Sequence, residues 1–238
     1  MLDVEAWVNL ALLGVCYGYV LVVIFVTGKI GRILSKNSSR KFLHIMIGNL
    51  PLVILFFSYN TFPLNFPFFV AAPFILLTFL VSPYSPVKSI SRKMSGLTEV
   101  TKGGHSLGLV FYAVSYTILA LFFSAKPYVI AAGILPMAYG DAFASLVGEK
   151  YGRRQFKILA KKSVEGCAAM FVISFVSLAA SLMFFSVFYS LSVFSLVIAA
   201  LAVAVVATVI EALTPSGFDN ITVPLAGAFL FVFLIGGA

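Results

Sequence analysis

Apolar residues run along this chain in long stretches rather than alternating with polar ones, and short polar segments separate the stretches. The apolar runs lie at about 4–27, 42–58, 64–82, 106–124, 127–148, 164–187, 189–212 and 221–237. Roughly 17 to 25 apolar residues cross a hydrocarbon core of about 30 Å as a helix. The pattern therefore predicts an all-α integral membrane protein, a polytopic bundle of about eight transmembrane helices. Pro51, Pro63, Pro67 and Pro73 fall in or beside the second and third runs and predict kinks or shortening there. No internal repeat or interdomain linker is evident, so residues 1–238 read as a single polytopic domain. The segment 83–105, rich in Ser, Pro, Gly and Lys, is too long for a tight connection and is expected on the membrane surface or as a lid.

Composition agrees with that pattern. With 61% hydrophobic and 10% charged residues and a mean hydropathy of +1.09, the chain cannot bury its apolar surface as a water-soluble globule. The net charge of +8 raises the question of nucleic acid. The basic residues, however, occur in short clusters between apolar runs without interleaved aromatics, and no nucleic-acid partner is expected.

Those clusters orient the chain. Lys29, Arg32, Lys36, Arg40 and Lys41 lie in the first loop, Lys88, Arg92, Lys93 and Lys102 in the third, and Lys150, Arg153, Arg154, Lys157, Lys161 and Lys162 in the fifth. Only Lys126 falls on the other side. The positive-inside rule puts the odd loops in the cytoplasm and both termini outside, in a cell membrane or endomembrane. Asp3 and Glu5 stand where a cleavable signal would be basic, and the first apolar run is long enough to span. Cys16 and Cys167 fall inside spans and read as packing residues.

Candidate chemistry gathers on the same side. Asp141 approaches the cytoplasmic end of the fifth span, in a stretch where Gly140, Ala144 and Gly148 recur every four residues and admit a second backbone. An acid at membrane depth needs water, a cation or a basic partner. One reading is an ion pair with a loop lysine; the other is a functional site. The fifth loop ends in Lys162-Ser163-x-Glu165-Gly166. Ser163 is placed to cap the sixth span, and a helix start with its free N–H groups suits an anion. Gly166 would let a phosphate come close, whereas Glu165 could simply complement the helix dipole.

Glu211, near the end of the seventh span, and Asp219-Asn220, before the eighth, bring the acids on this side to a group of four with Asp141 and Glu165. Carboxylates for a hard cation, mixed with cations for phosphate oxygens, are the components of a magnesium–nucleoside triphosphate site. Capping of the eighth helix is the plainer role for Asp219 and Asn220. In the second run, Lys41, His44 and Gly48 share a face with Arg40 close by, as phosphate ligands or as ordinary interfacial anchors. His105 sits in a Gly-rich entry to the fourth span, as a loop histidine or a proton-transfer group. No P-loop, kinase Gly-rich loop, His-Glu-x-x-His motif or nucleophile elbow occurs.

The stretches Arg40-Lys41-x-x-His44, Gly140-Asp141-x-x-Ala144-x-x-x-Gly148, Lys162-Ser163-x-Glu165-Gly166 and Glu211 with Asp219-Asn220-x-x-x-Pro224 together resemble the CTP-dependent polyprenol kinases. That group includes dolichol, phytol and farnesol kinases and is distantly similar to phosphatidate cytidylyltransferases. The resemblance implies a membrane enzyme that uses CTP and Mg2+ to phosphorylate a long-chain lipid alcohol at a cytoplasm-facing site. It implies catalytic roles for Asp141, Lys162, Glu165 and His44. Nucleotide contacts are implied for Arg40, Lys41, Gly140, Lys150, Ser163, Gly166 and Asn220, and metal ligation for Asp141, Glu211 and Asp219. The competing expectations are a cytidylyltransferase that makes a CDP-lipid and a secondary transporter. The latter would carry acids at the midplane and inverted repeats.

Overall fold

The computed structural model describes residues 4–31, 36–89, 94, 107–215 and 217–235, with only the backbone of Lys36. Most of the segment 83–105, and with it Arg92, Lys93 and Lys102, lies outside the described residues, as do Arg32 and His105. The chain divides into two compact units, Met1–Pro127 and Tyr128–Ala238.

In the first unit, α1 (Val4–Ile30) packs against α2 (Lys36–Ile47) and α4 (Phe66–Val81), and α4 against α5 (Gly108–Phe123). Val23, Leu43, Val81 and Leu109 form a buried cluster where these helices meet. Polar side chains inside the unit are held in place by bonds to other segments. Asn9 is fully buried; its amide donates to the Glu5 carbonyl and to Ser58 Oγ, each at 2.7 Å, and its oxygen accepts from Tyr59 N at 3.1 Å.

The expected span over 42–58 is not one helix. After Gly48 N, which bonds back four residues to His44, the amides of Asn49 and Leu50 reach back only three, to Met46 and Ile47. Pro51 has no N–H to continue the ladder. The backbone resumes as a four-residue helix, α3 (Pro51–Ile54), and leads into a small hairpin of β1 (Asn60–Thr61) and β2 (Leu64–Asn65). Asn65 then caps α4 by accepting from Phe68 N at 2.9 Å, and Pro67 occupies the first turn, where no intrahelical donor is required.

The second unit begins with α6 (Pro127–Tyr151), which carries a π turn at Pro136–Gly140. A short hairpin, β3 (Gln155–Lys157) with β4 (Lys161–Ser163), leads into α7 (Val164–Phe185), followed by α8 (Val193–Leu213) and α9 (Asp219–Ile235). The hairpin lies within the fifth loop of the sequence pattern. About 72% of the apolar window of α6 is buried, against 33% for α7 and α8, which makes α6 the inner helix of the unit. Small residues let its neighbours in: a Cβ on Gly227 of α9 would stand 3.0 Å from the Ala132 carbonyl of α6.

This is an all-α membrane protein apart from its two short hairpins. Among the described residues, α1, α6, α7 and α8 are long and apolar enough to cross a membrane, and α4, α5 and α9 are shorter apolar helices. The 16 residues of α4 reach only about 24 Å at 1.5 Å per residue. Cys16 is buried and Cys167 half-buried, and neither forms a disulfide, in keeping with packing roles.

Candidate functional site

Three separate backbone devices shape the place in the second unit where carboxylates meet. The first is the π turn of α6, where Asp141 N bonds back five residues to the Pro136 carbonyl. Pro136 cannot donate, and one extra residue in a turn rotates everything after it by about 100° relative to a regular helix. Asp141 is the first residue after that shift and is buried at 8% exposure.

The second device is the close approach of α7 to α6. A Cβ on Gly140 would stand 2.1 Å from Ser174 Oγ, and one on Gly166 would stand 2.9 Å from the Ala144 carbonyl and 3.5 Å from Gly148 Cα. The expected Gly140, Ala144 and Gly148 row is therefore a helix-packing surface. Gly166 faces α6 backbone, which accounts for its lack of a side chain without any phosphate.

The third device is the turn before α9. Gly217 has φ of 96°, a conformation that side-chain-bearing residues rarely adopt. Asp219 Oδ1 accepts from Gly217 N at 3.0 Å, Asn220 N at 2.9 Å and Asn220 Nδ2 at 3.1 Å. These bonds to its immediate neighbours fix the carboxylate of Asp219.

With Glu211 in the last turn of α8, the result is a cluster. One carboxylate oxygen from each of Asp141, Glu211 and Asp219 lies within 4.8 Å of the other two. Strand β4 supplies the cation: Lys161 and Ser163 alternate with Lys162, whose ammonium pairs with Glu211. Burial pushes the Lys162 ammonium down, but Glu211, with Asp219 and Asp141 behind it, holds it above the ordinary lysine value. Three buried acids face one ammonium within the cluster, an excess of negative charge that costs free energy in a low-dielectric interior. All donors are hard oxygens, and ligands on opposite sides of a magnesium ion stand about 4.2 Å apart. The three carboxylates form a donor set that could hold a divalent cation.

The other expected site residues are distributed differently. Ser163 caps α7 as expected, its Oγ accepting from Gly166 N at 3.1 Å. Glu165 does not join the acidic cluster. Its carboxylate accepts from Arg154 N at 3.3 Å and so ties the base of the hairpin to the start of α7, which corrects the expectation of four converging acids. Lys150 is exposed, with its ammonium 5.2 Å from the centre of the Tyr151 ring. Asn220 lies beside Asp219 as the expected pair.

Arg40, Lys41 and His44 belong to the first unit. Arg40 donates to Asn37 Oδ1 at 3.1 Å, Lys41 is buried, and His44 stacks on Tyr112 with ring centres 4.7 Å apart. The Tyr112–Tyr116 pair of α5 and the π turn escaped the sequence reading. A proline inside an apolar run and two tyrosines one helical turn apart were the available signals.

Fold and cluster define a polytopic helical membrane protein with a buried carboxylate–lysine centre. No known family profile and no solved structure matches the chain. Among characterised sequences, it is 37% identical over 131 residues to phytol kinase of Synechocystis, a match that spans 54% of each protein. It is 32% identical over 227 residues to a probable chloroplastic phytol kinase of Triticum aestivum, covering 87% of this chain and 70% of that one. Phytol kinase 1, chloroplastic, of Arabidopsis thaliana is 31% identical over 234 residues, covering 94% and 74%. The chain belongs to the phytol kinase family.

Proposed function

We propose that this protein is a lipid-alcohol kinase that transfers the γ-phosphate of CTP to a long-chain isoprenoid alcohol of the phytol, geranylgeraniol or polyprenol type. The observation that carries the reading is the convergence of Asp141, Glu211 and Asp219, with Lys162 paired to Glu211, in the second unit. The names of the relatives support the lipid alcohol as acceptor. A divalent cation such as Mg2+ would be held by the three carboxylates and would neutralise charge on the phosphate oxygens.

In the reaction, the alcohol oxygen attacks the γ-phosphorus, the bond to the β-phosphate oxygen breaks, and the hydroxyl proton is lost to a base or to water. The products are a lipid monophosphate and CDP. Lys162 sits where an ammonium can leave Glu211 for a phosphate oxygen, and the basic hairpin adds positive charge around the triphosphate. Positioning and electrostatics carry most of the rate enhancement, as is usual for phosphoryl transfer. Eight spans, both termini outside and a cytoplasm-facing centre complete the proposed topology, on the strength of the loop charges.

Purified protein with Mg2+, γ-labelled CTP, ATP or UTP in turn and a panel of lipid alcohols tests this directly. Label in the lipid with CTP is the expected result. Label in pyrophosphate would identify a cytidylyltransferase instead, and no transfer to any alcohol would refute the kinase reading.

A further inference from the structure

The hairpin of β3 and β4 joins α6 to α7, both long and apolar enough to cross a membrane, and a connection between two such spans lies at the membrane surface. Tyr151, the last residue of α6, is exposed at the base of the hairpin, and such amphipathic rings settle at the headgroup level. Strands of three residues reach only about 10 Å at 3.3 Å per residue, which keeps the tip near that level. The tip carries Ile158 and Leu159, 56% and 61% exposed. Two aliphatic side chains in water forgo the burial that an adjoining bilayer supplies. Beside them, Lys157 stands directly across the strands from Lys161. Like charges so placed are destabilising unless something negative lies between them. Among the described residues neither ammonium has a carboxylate partner, and the sequence holds no acid from Lys150 to Val164. Glu165, the next acid along the chain, is held on the Arg154 amide. Strand alternation turns Lys157 and Lys161 to the face opposite Phe156 and Lys162, away from the carboxylate cluster.

We propose that the hairpin tip is a docking device for anionic lipid: the Lys157 and Lys161 ammoniums clamp a headgroup phosphate, and Ile158 and Leu159 enter the acyl boundary beneath it. The inference goes beyond the kinase reading and does not depend on it. Charge selects the occupant. Lys150, Arg153, Arg154, Lys157 and Lys161, with no acid among them, are drawn to an anionic leaflet, whereas a zwitterionic one offers no net attraction. The two aliphatic residues separate a lipid from a nucleotide, since a triphosphate gives them no apolar surface to bury against. One strand is then gripped from both sides, by lipid at Lys161 and by Glu211 at Lys162.

The test uses the full chain in nanodiscs of phosphatidylcholine, alone or mixed with phosphatidylglycerol. Trp7 is the single tryptophan, so Leu159→Trp in a Trp7→Phe background gives emission from the tip alone. In anionic discs that emission is expected to shift to the blue and to be quenched by lipids brominated on the acyl chain near the headgroup. Lys157→Gln with Lys161→Gln is expected to move the tip from docked toward free by about 25-fold, roughly five-fold for each lysine. Added salt should act in the same direction. Water-like, unquenched emission in anionic discs would overturn the proposal. So would quenching that is equal with and without phosphatidylglycerol, or that survives loss of both lysines. Release of the quenched tip by magnesium–CTP would assign the lysines to the nucleotide and overturn it as well. Should the tryptophan variant fail to fold, amide hydrogen exchange in the unaltered chain decides the matter. Residues 155–163 are expected to exchange several-fold more slowly in anionic than in neutral discs, and equal rates would refute the docking. Phosphoryl transfer enters none of these readouts, so failure of the docking and failure of the kinase reading are told apart.

Discussion

The carboxylate cluster of the second unit and the apolar cavity of the first are both buried in apolar helices, yet they are built by opposite means. In the cluster three of the four charged groups are aimed by a backbone device: a π turn for Asp141, a turn with a positive-φ glycine for Asp219, and strand alternation for Lys162. The cavity has no such device. It is lined by small and large apolar side chains, with His44, Thr78, Tyr112 and Tyr116 among them. Charge in a low dielectric demands directional partners, whereas dispersion contacts do not, so the cluster should be brittle to single changes and the cavity tolerant of them.

The largest expected break in that contrast is Asp141→Asn. It should lower kcat by about 100-fold or more, the scale seen when a group aimed at developing charge is removed. Single-turnover transfer of label from CTP to lipid measures it. Next comes Gly166→Leu, whose side chain meets the Ala144 carbonyl, a backbone atom with nowhere to move. A cost of about 1–3 kcal/mol is expected, read as a lower melting temperature in detergent. An Ala71→Val change at the cavity wall should cost less than this in the same melting assay, because the cavity leaves room for the added methyls.

Lys162→Met leaves three acids without their ammonium. The variant should melt earlier than wild type in EDTA and regain more stability when Mg2+ is added, since a ligand that binds only the folded state stabilises by mass action. Equal Mg2+ responses in both proteins would contradict the cation reading of the cluster. Ser163→Ala removes the cap of α7 and should cost about 1 kcal/mol, visible by the same melting assay. The smallest effect is alkaline. Because Lys162 is held above its usual value of 10.5, its stabilisation is fully present below that pH and is lost only as pH rises through the higher native value. Wild-type melting should therefore lose this contribution only above about pH 10.5, and Lys162→Met should lack that part of the alkaline fall.

Much of the cluster was legible before any coordinates, and the reasons are local. An acid inside an apolar run is expensive wherever the run ends up, so Asp141 and Glu211 announced themselves by cost, whereas Asp219 stands in the turn before the eighth run. Ser163 three residues before Gly166 is a cap signature that needs only its own helix. Glu165 carries the same charge and stands near the same membrane face, yet it bonds the hairpin backbone instead. Nothing in its sequence neighbourhood distinguishes a carboxylate that turns toward a strand from one that turns toward a cluster.

The amino-acid pattern alone determined that the chain is a helical membrane protein, where most of its helices run, which acids are out of place in an apolar setting and how the loop charges are biased. Those properties depend on composition and short-range periodicity. Only the tertiary structure decided that three of the acids meet, that Lys162 reaches them from a hairpin, that the second expected span breaks at Pro51, and that the Tyr116 hydroxyl is buried without a hydrogen-bond partner among the described residues. Each of these depends on residues far apart in the chain or on one inserted turn, and a rotation of about 100° per residue makes side-chain direction unpredictable from spacing once a helix departs from regularity.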